Sequence, residues 1–212
     1  MIIGLTGTYC AGKNFIAGLL EKRGLPVLDV DKLGHEAIET EKNAILDRFG
    51  NDILDSDGKI NRGLLGQKVF GNPFELKALE AIIHPAANLK TLAWIEAQKG
   101  KPCVINAALL HRSSAFSDFD AIIIVNAPFL TRLYRARKRD RLSFRDLLKR
   151  LRSQKHFTSQ YFSVKADIYR VENPGKSIFA FLKAGAKIKP ENRLESRLEN
   201  QIDEILSSIG LG

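Results

Sequence analysis

The stretch that most constrains the fold is Gly7-Thr8-Tyr9-Cys10-Ala11-Gly12-Lys13-Asn14. An apolar run, Ile2-Ile3-Gly4-Leu5-Thr6, precedes it, and a helical pattern, Phe15-Ile16-Ala17-Gly18-Leu19-Leu20, follows. Strand, glycine-bounded loop, lysine and helix together make the layout of a phosphate-binding P-loop. Glycines let the backbone curl so that its N–H groups point inward, the helix N-terminus adds its positive dipole end, and the lysine reaches the outer phosphates. An ordinary β–α turn would not explain a lysine at a helix N-terminus, where a cation is disfavoured; an anion held by the loop would. The loop therefore makes residues 8–15 (Thr8, Tyr9, Cys10, Ala11, Gly12, Lys13, Asn14 and Phe15) the expected nucleotide site. The motif ordinarily ends in Ser or Thr, whose hydroxyl ligates Mg²⁺, and here it ends in Asn14. Amides and Lys13 around Cys10 predict a lowered thiol pKa, although a small residue that simply fits is the plainer reading of that position.

The order of patterns after the loop predicts an α/β fold with a parallel core of about five strands. The first helix ends at Gly24, with Pro26 beyond it. Val27–Asp31 reads as a second strand with Asp31 at its C-terminal tip, the edge where ligand chemistry collects in open α/β sheets. Alternate residues of a strand face one way, so Asp29 and Asp31 are expected on one side. One reading makes them a helix cap and a solvated carboxylate. The other gives them the Mg²⁺ hydration shell or a proton from an attacking hydroxyl, with Asp31 the better-placed base.

From Lys32 to about Gln98 only helical patterns appear, at Leu33–Phe49, Arg62–Phe70, Pro73–Ile83 and Ala86–Gln98, with a turn region at Asn51–Asn61. This predicts a helical lobe. His84-Pro85 falls between two of these helices; a lone histidine is ordinarily structural, and Pro85 is read as a helix start. Strands resume at Pro102–Ala107 and Ala121–Val125, the latter apolar enough for a central strand. Ala166–Val171 is a weaker fifth strand. A helix begins at Pro128, Ser143 is the expected N-cap of Phe144–Gln154, and Glu191–Ile209 has helical apolar spacing.

Charge sharpens the functional reading. The net charge is +9, yet Arg132–Lys155 alone carries eleven Lys/Arg against Asp140 and Asp146. The excess is therefore local. Such a block is often a solvated helix face, and a basic cluster also suits nucleic acid. Next to a phosphate loop it reads instead as a lid that stabilises charge in phosphoryl transfer. Arg132, Arg135 and Arg139 share one helix face, and Arg135 and Arg139 are the candidates to reach phosphate; Arg137, Lys138, Arg141, Lys149 and Arg152 are expected at the surface. No apolar run approaches the roughly 20 residues of a membrane span. The first residues lack a basic n-region, and two cysteines make no disulfide framework, so a cytoplasmic protein without a signal peptide is expected. No Cys/His grouping has zinc spacing.

Over most of its length the chain resembles the dephospho-coenzyme A kinases. The resemblance rests on Ile3–Gly7 through Gly12-Lys13, Pro26–Asp31, Arg48-Phe49-Gly50, Asp57–Arg62, Leu64-Leu65-Gly66 with Val69-Phe70, and Leu79–Pro85. It continues through Arg135, Arg139-Asp140, Ser143 and Gln154, then Ala166-Asp167 and Asn173-Pro174-Gly175. It implies ATP-dependent phosphorylation of the ribose 3′-hydroxyl of dephospho-CoA, with ATP and Mg²⁺ as cofactors and dephospho-CoA as substrate; a membrane partner is not expected, and nucleic acid is the less favoured partner. It implies a P-loop core at 1–31, 100–131 and 164–212, a helical CoA-binding lobe at 32–99 and a basic lid at 132–163. By carry-over Lys13 holds the outer phosphates, Asp31 is the base, and Arg139 closes from the lid. Arg62 and His84 line the substrate side, and Asn173 lies near the adenine. Asn14 and Asp29 are the metal candidates, an amide oxygen being an acceptable ligand for a hard cation.

The chain departs from the family pattern at Asn14, at Tyr9 (read as replacing the middle glycine of the loop), and at Ala107–Arg112, which lacks a proline and has Arg112 in an acidic position. Ser177–Pro190 has no match. Three alternatives stay open: another small-molecule kinase, such as a nucleoside or nucleotide kinase; a nucleotide- or CoA-binding protein with weak or no catalysis; and polynucleotide binding through 132–155.

Overall fold

The computed structural model describes residues 1–69, 71–113, 115–140, 142–154, 157, 161, 165–175 and 190–212. The chain divides into two compact units, one of Met1–Leu28 with Gly100–Gly212 and one of Asp29–Lys99.

The first unit is built on a sheet. Its strands are β1 (Ile2–Gly7), β2 (Val27–Asp29), β3 (Cys103–Asn106), β4 (Ala121–Asn126) and β5 (Asp167–Glu172), in the order β2-β3-β1-β4-β5. β1 pairs in parallel with β3 and with β4, and β4 with β5. β1 and β4 are the apolar runs of the sequence because they are central strands covered on both faces. Ile3, Leu5, Ile122 and Ile123 are fully buried. Against one face pack α1 (Lys13–Glu21) and the C-terminal helix, here α8 (Pro190–Ser208). Ile16, Leu19 and Leu20 of α1 meet Leu198, Ile202 and Leu206 in one core with β1 and β4. Fully burying one such side chain contributes about 1.5–3 kcal/mol.

Gly7 ends β1 at a close approach, since a Cβ there would lie 2.7 Å from the Val125 carbonyl oxygen of β4. The loop that follows is thereby held to the sheet, and the Thr8 N–H donates to that same oxygen at 3.2 Å.

The second unit is helical. It contains α2 (Val30–Thr40), α3 (Lys42–Phe49), α4 (Arg62–Val69) and α5 (Pro73–Ala97). Ile38, Ile45, Phe49, Ile53, Ile60, Leu65 and Leu79 form its own core. The 51–61 turn region holds a short 3-10 turn, an isolated Leu54–Ile60 antiparallel bridge and an Asp55 side chain that accepts from the Asp57 and Lys59 amides.

Three expectations are corrected. The second strand stops at Asp29, because the Asp29 carboxylate accepts from the Asp31 and Lys32 amides and so starts α2. Leu33–Phe49 is two helices that meet at Glu41. Pro73–Ile83 and Ala86–Gln98 are one 25-residue helix with Pro85 inside it. Pro85 removes one N–H, the partner of the Ala81 carbonyl, and the helix runs on. Phe70, expected to end α4, lies outside the described residues, as do 177–189.

α6 (Phe129–Arg139) and α7 (Phe144–Ser153) carry the basic block. Ser143 caps α7 as expected, accepting from the Asp146 amide. Among the described residues no helix is long and apolar enough to cross a membrane.

Candidate active site

The loop between β1 and α1 is shaped by two residues in the left-handed region. Gly12, with φ 97°, precedes α1 and caps it without a side chain. Its Cβ position lies 2.4 Å from Asn173 Nδ2, so glycine is required there by conformation and by space. The other is Cys10, with φ 61°. This corrects the expectation that Tyr9 takes the place of the missing glycine. Cys10 bears the conformation that favours one.

The first turn of α1 has no acidic residue. Lys13, half-buried, stands at that helix N-terminus, where the sequence reading expects an anion. Asn14 is exposed, and its Oδ1 accepts from Asn106 Nδ2 at 3.4 Å. Asn106 ends β3 and is buried, and its own Oδ1 has no partner among the described residues. Phe15 is exposed.

The carbonyls of the loop are pinned from two directions. Arg135 Nη1 donates to the Ala11 oxygen at 2.9 Å and to the Cys10 oxygen at 3.3 Å. Asn173 Nδ2 donates to the same Ala11 oxygen at 2.8 Å, and Asn173 Oδ1 accepts from Arg135 Nη2 at 3.0 Å. Asn173 directly follows β5, and Thr131 Oγ1 secures the next residue by donating to the Pro174 oxygen at 2.7 Å. With their carbonyls taken, Cys10 and Ala11 are fixed in the curl of the loop, and the Ala11 N–H closes it by donating to the Thr8 oxygen at 2.9 Å.

A second set of contacts runs through Tyr9. Its N–H donates to Gln154 Oε1 at 2.6 Å, and its hydroxyl donates to Asp140 Oδ2. The Arg139 and Arg150 guanidinium carbons lie 5.1 and 5.8 Å from its ring centroid. Arg139 also binds Asp140, Nε to Oδ1 at 2.9 Å. The Arg139 guanidinium holds the Asp140 carboxyl below its usual range. Burial, then the Asp140 contact, push the Tyr9 hydroxyl upward. Burial also raises the Cys10 thiol, outweighing Arg139 and Arg135, so the expected lowered thiol pKa is corrected. Desolvation exceeds the charge effect at this site.

The structure thus brings Thr8–Asn14, Arg135, Arg139 and Asn173 together in the first unit. In the helical unit Asp29 caps α2, Asp31 lies exposed in its first turn, Arg62 starts α4, and the half-buried His84 sits mid-way along α5. Arg137, Lys138, Lys149 and Arg152 are exposed as expected, and Arg141 lies outside the described residues. The sequence reading assigned no site role to Asn106, Asp140, Arg150 or Gln154. Asn106 ends an apolar strand, and a polar residue at the C-terminal tip of such a strand is the signal that could have found it. Among the described residues no group of three or more His, Cys, Asp or Glu could hold a metal ion. The carboxamide oxygens of Asn14 and Asn106 and the Thr8 hydroxyl are hard donors at or beside the loop, of a kind that would suit Mg²⁺ or its water shell.

A family model described as dephospho-CoA kinase matches residues 1–174. The Treponema pallidum protein named dephospho-CoA kinase is 31% identical over 185 residues, covering 82% of this chain and 88% of its own. The crystal structure of TT1252 from Thermus thermophilus aligns with a TM-score of 0.70 at 28% identity, over 87% of this chain and 98% of that one. The dephospho-CoA kinase structure from Campylobacter jejuni aligns with a TM-score of 0.65 at 23% identity, over 98% of both chains, a likeness of fold.

Proposed function

The chain belongs to the dephospho-CoA kinase family, and on that premise we propose that it transfers the γ-phosphoryl group of ATP to the ribose 3′-hydroxyl of dephospho-CoA, giving CoA and ADP. The observation that carries this reading is the loop after β1, curled by Gly12 and Cys10 and pinned by Arg135 and Asn173. It has the form of a phosphate cradle on a parallel sheet, and phosphoryl transfer needs mainly positioning and electrostatic stabilisation from a protein.

In this reading the loop Thr8–Phe15 is the ATP site, although the Thr8, Tyr9, Ala11 and Phe15 N–H groups already donate within the fold, and Lys13 holds the outer phosphates. Arg135 fixes the loop from behind, and Arg139, aided by Tyr9 and Asp140, supplies cationic charge from α6. Asn173 borders the adenine. Asp31 takes the proton of the acceptor hydroxyl, and Arg62 and His84 belong to the dephospho-CoA side. Residues 32–99 serve as the acceptor-binding lobe and 132–163 as the lid. Mg²⁺, when bound, neutralises phosphate charge; Asn14 and Asn106 would hold it or its water shell, with Asp29 as the acidic candidate. Asp29 already spends Oδ1 on capping α2, which favours an outer-shell role.

The test is ATP consumption with dephospho-CoA against nucleoside acceptors. Dephospho-CoA is expected to be the preferred acceptor, and Lys13→Ala and Asp31→Asn are each expected to lower kcat by at least about 100-fold, the usual scale for a lost charge-stabilising or acid–base group. Near-normal kinetics in either variant would remove that residue's role, and preference for a nucleoside would remove the substrate.

A further inference from the structure

Among the described residues four buried side-chain atoms lack a hydrogen-bond partner: Thr8 Oγ1, Asn106 Oδ1, and Nε and Nη1 of Arg132. Such groups are uncommon in folded proteins, and each calls for an explanation. Their distribution is uneven. Thr8 lies in the phosphate loop, Asn106 touches Asn14 in the first turn of α1, and Arg132 sits one helical turn before Arg135, which grips the loop.

Arg132 is the costly member of this set. It is 9% exposed, and with Ala136 it makes up the buried residues of α6. A guanidinium has five donors and stays charged, so burying it without partners carries a penalty that only an anion or acceptors can repay. Arg132 is also within electrostatic reach of the loop, since its charge favours the ionised form of Cys10. The three arginines of this face therefore have different surroundings. Arg135 is spent on the Cys10 and Ala11 carbonyls and on Asn173, and Arg139 on Asp140. Nε and Nη1 of Arg132 have no such contacts.

We propose that Arg132, with the Thr8 hydroxyl, is a phosphate ligand of this loop, an inner cation whose donors are satisfied by the polyphosphate chain. The proposal rests on the reading of the loop as a nucleotide site. It extends that reading by making a buried arginine from α6, rather than only Lys13 and the more exposed Arg139, a direct partner of the anion. A guanidinium directs its donors along fixed in-plane directions, so Nε and Nη1 of Arg132 would meet different oxygens of a polyphosphate, which the single ammonium of Lys13 does not fix in this way.

The test uses the full chain and the variants Arg132→Met and Arg132→Lys. Removing an uncompensated buried charge should raise the thermal midpoint of the protein without nucleotide by about 2–4 °C. The same Met variant should bind ATP and inorganic tripolyphosphate about 10- to 100-fold more weakly, the scale of a lost charge-assisted hydrogen-bond pair, while adenosine affinity changes less than about twofold. Arg132→Lys should recover part of the tripolyphosphate affinity. A residue that merely packs would give the opposite pattern. A lowered midpoint with unchanged ATP affinity, or an equal loss for ATP and adenosine, would overturn the proposal. If wild type phosphorylates dephospho-CoA and Arg132→Met binds ATP normally, the ligand role alone fails. If wild type binds tripolyphosphate through Arg132 but turns over no dephospho-CoA, the kinase reading fails and the ligand role stands.

Discussion

Asn173→Ala probes how the loop is held. The Asn173 side chain is 3% exposed and makes two contacts, donating to the Ala11 oxygen at 2.8 Å and accepting from Arg135 at 3.0 Å. A neutral hydrogen bond contributes about 0.5–1.5 kcal/mol net and one to a charged group about 1.5–3 kcal/mol. Arg135 is half-buried and keeps its bond to Ala11, so part of the second figure survives. The expected loss is about 2–3 kcal/mol, a sizeable share of a typical 5–15 kcal/mol stability. Chemical denaturation monitored by far-UV circular dichroism measures it. Nucleotide affinity should fall in parallel, because the Ala11 carbonyl loses one of its two pins. Asn173→Asp separates the contacts: it keeps an acceptor for Arg135 but sets a carboxylate against the Ala11 carbonyl. It should lose ATP affinity while retaining more of the Arg135 contribution. If Asn173→Ala unfolds within about 0.5 kcal/mol of wild type and binds ATP as tightly, the pinned-loop account is wrong.

Tyr9→Phe removes the hydroxyl that donates to Asp140 but leaves the ring under Arg139 and Arg150. It should cost about 0.5–1.5 kcal/mol in denaturation, and Tyr9→Ala should cost more; equal losses would deny the arginines any stake in the ring. The Asp140 carboxyl is depressed by Arg139, so its stabilisation is complete above the unfolded value near 3.9 and is lost as pH falls through the lower folded value. Because the Arg139 side chain is 61% exposed, the effect should stay below about 1 kcal/mol. Asp140→Asn should flatten stability against pH across the acid range below about 5, and an unchanged acid slope would refute the link. Asn14→Ser should reach half-maximal activity at lower Mg²⁺ than wild type, and equal titrations would show that the carboxamide is no handicap.

The sheet and the phosphate loop were legible because their signals are local. Buried parallel strands are continuous apolar runs, and Gly12-Lys13 between strand and helix has one economical explanation. The helical unit was harder at its boundaries. Pro85 reads as a helix start, yet tertiary packing of α5 carries the helix through it. Val30 and Asp31 read as strand residues because Val27, Leu28 and Val30 are apolar, but the carboxylate of Asp29, the last residue of β2, captures the amides that follow and begins α2 early. Spacing cannot reveal φ, so the resemblance puts the missing loop glycine at Tyr9, whereas the left-handed residue is Cys10. The network of Tyr9, Asp140, Arg150 and Gln154 joins residues up to 145 positions apart, and no local pattern announces such contacts. That Nε and Nη1 of Arg132 lack partners among the described residues is likewise a property of packing, invisible in a helix face where three arginines look equivalent.

The central claim is that this loop serves phosphoryl transfer to one hydroxyl of dephospho-CoA. The direct measurement is identification of the product of ATP and dephospho-CoA by ³¹P nuclear magnetic resonance and mass, with wild type and Lys13→Ala side by side. The account predicts CoA bearing a ribose 3′-phosphate, formed one-for-one with ADP by wild type and nearly absent with the variant. ATP hydrolysed without a phosphorylated acceptor, or a phosphate on another position, would contradict it.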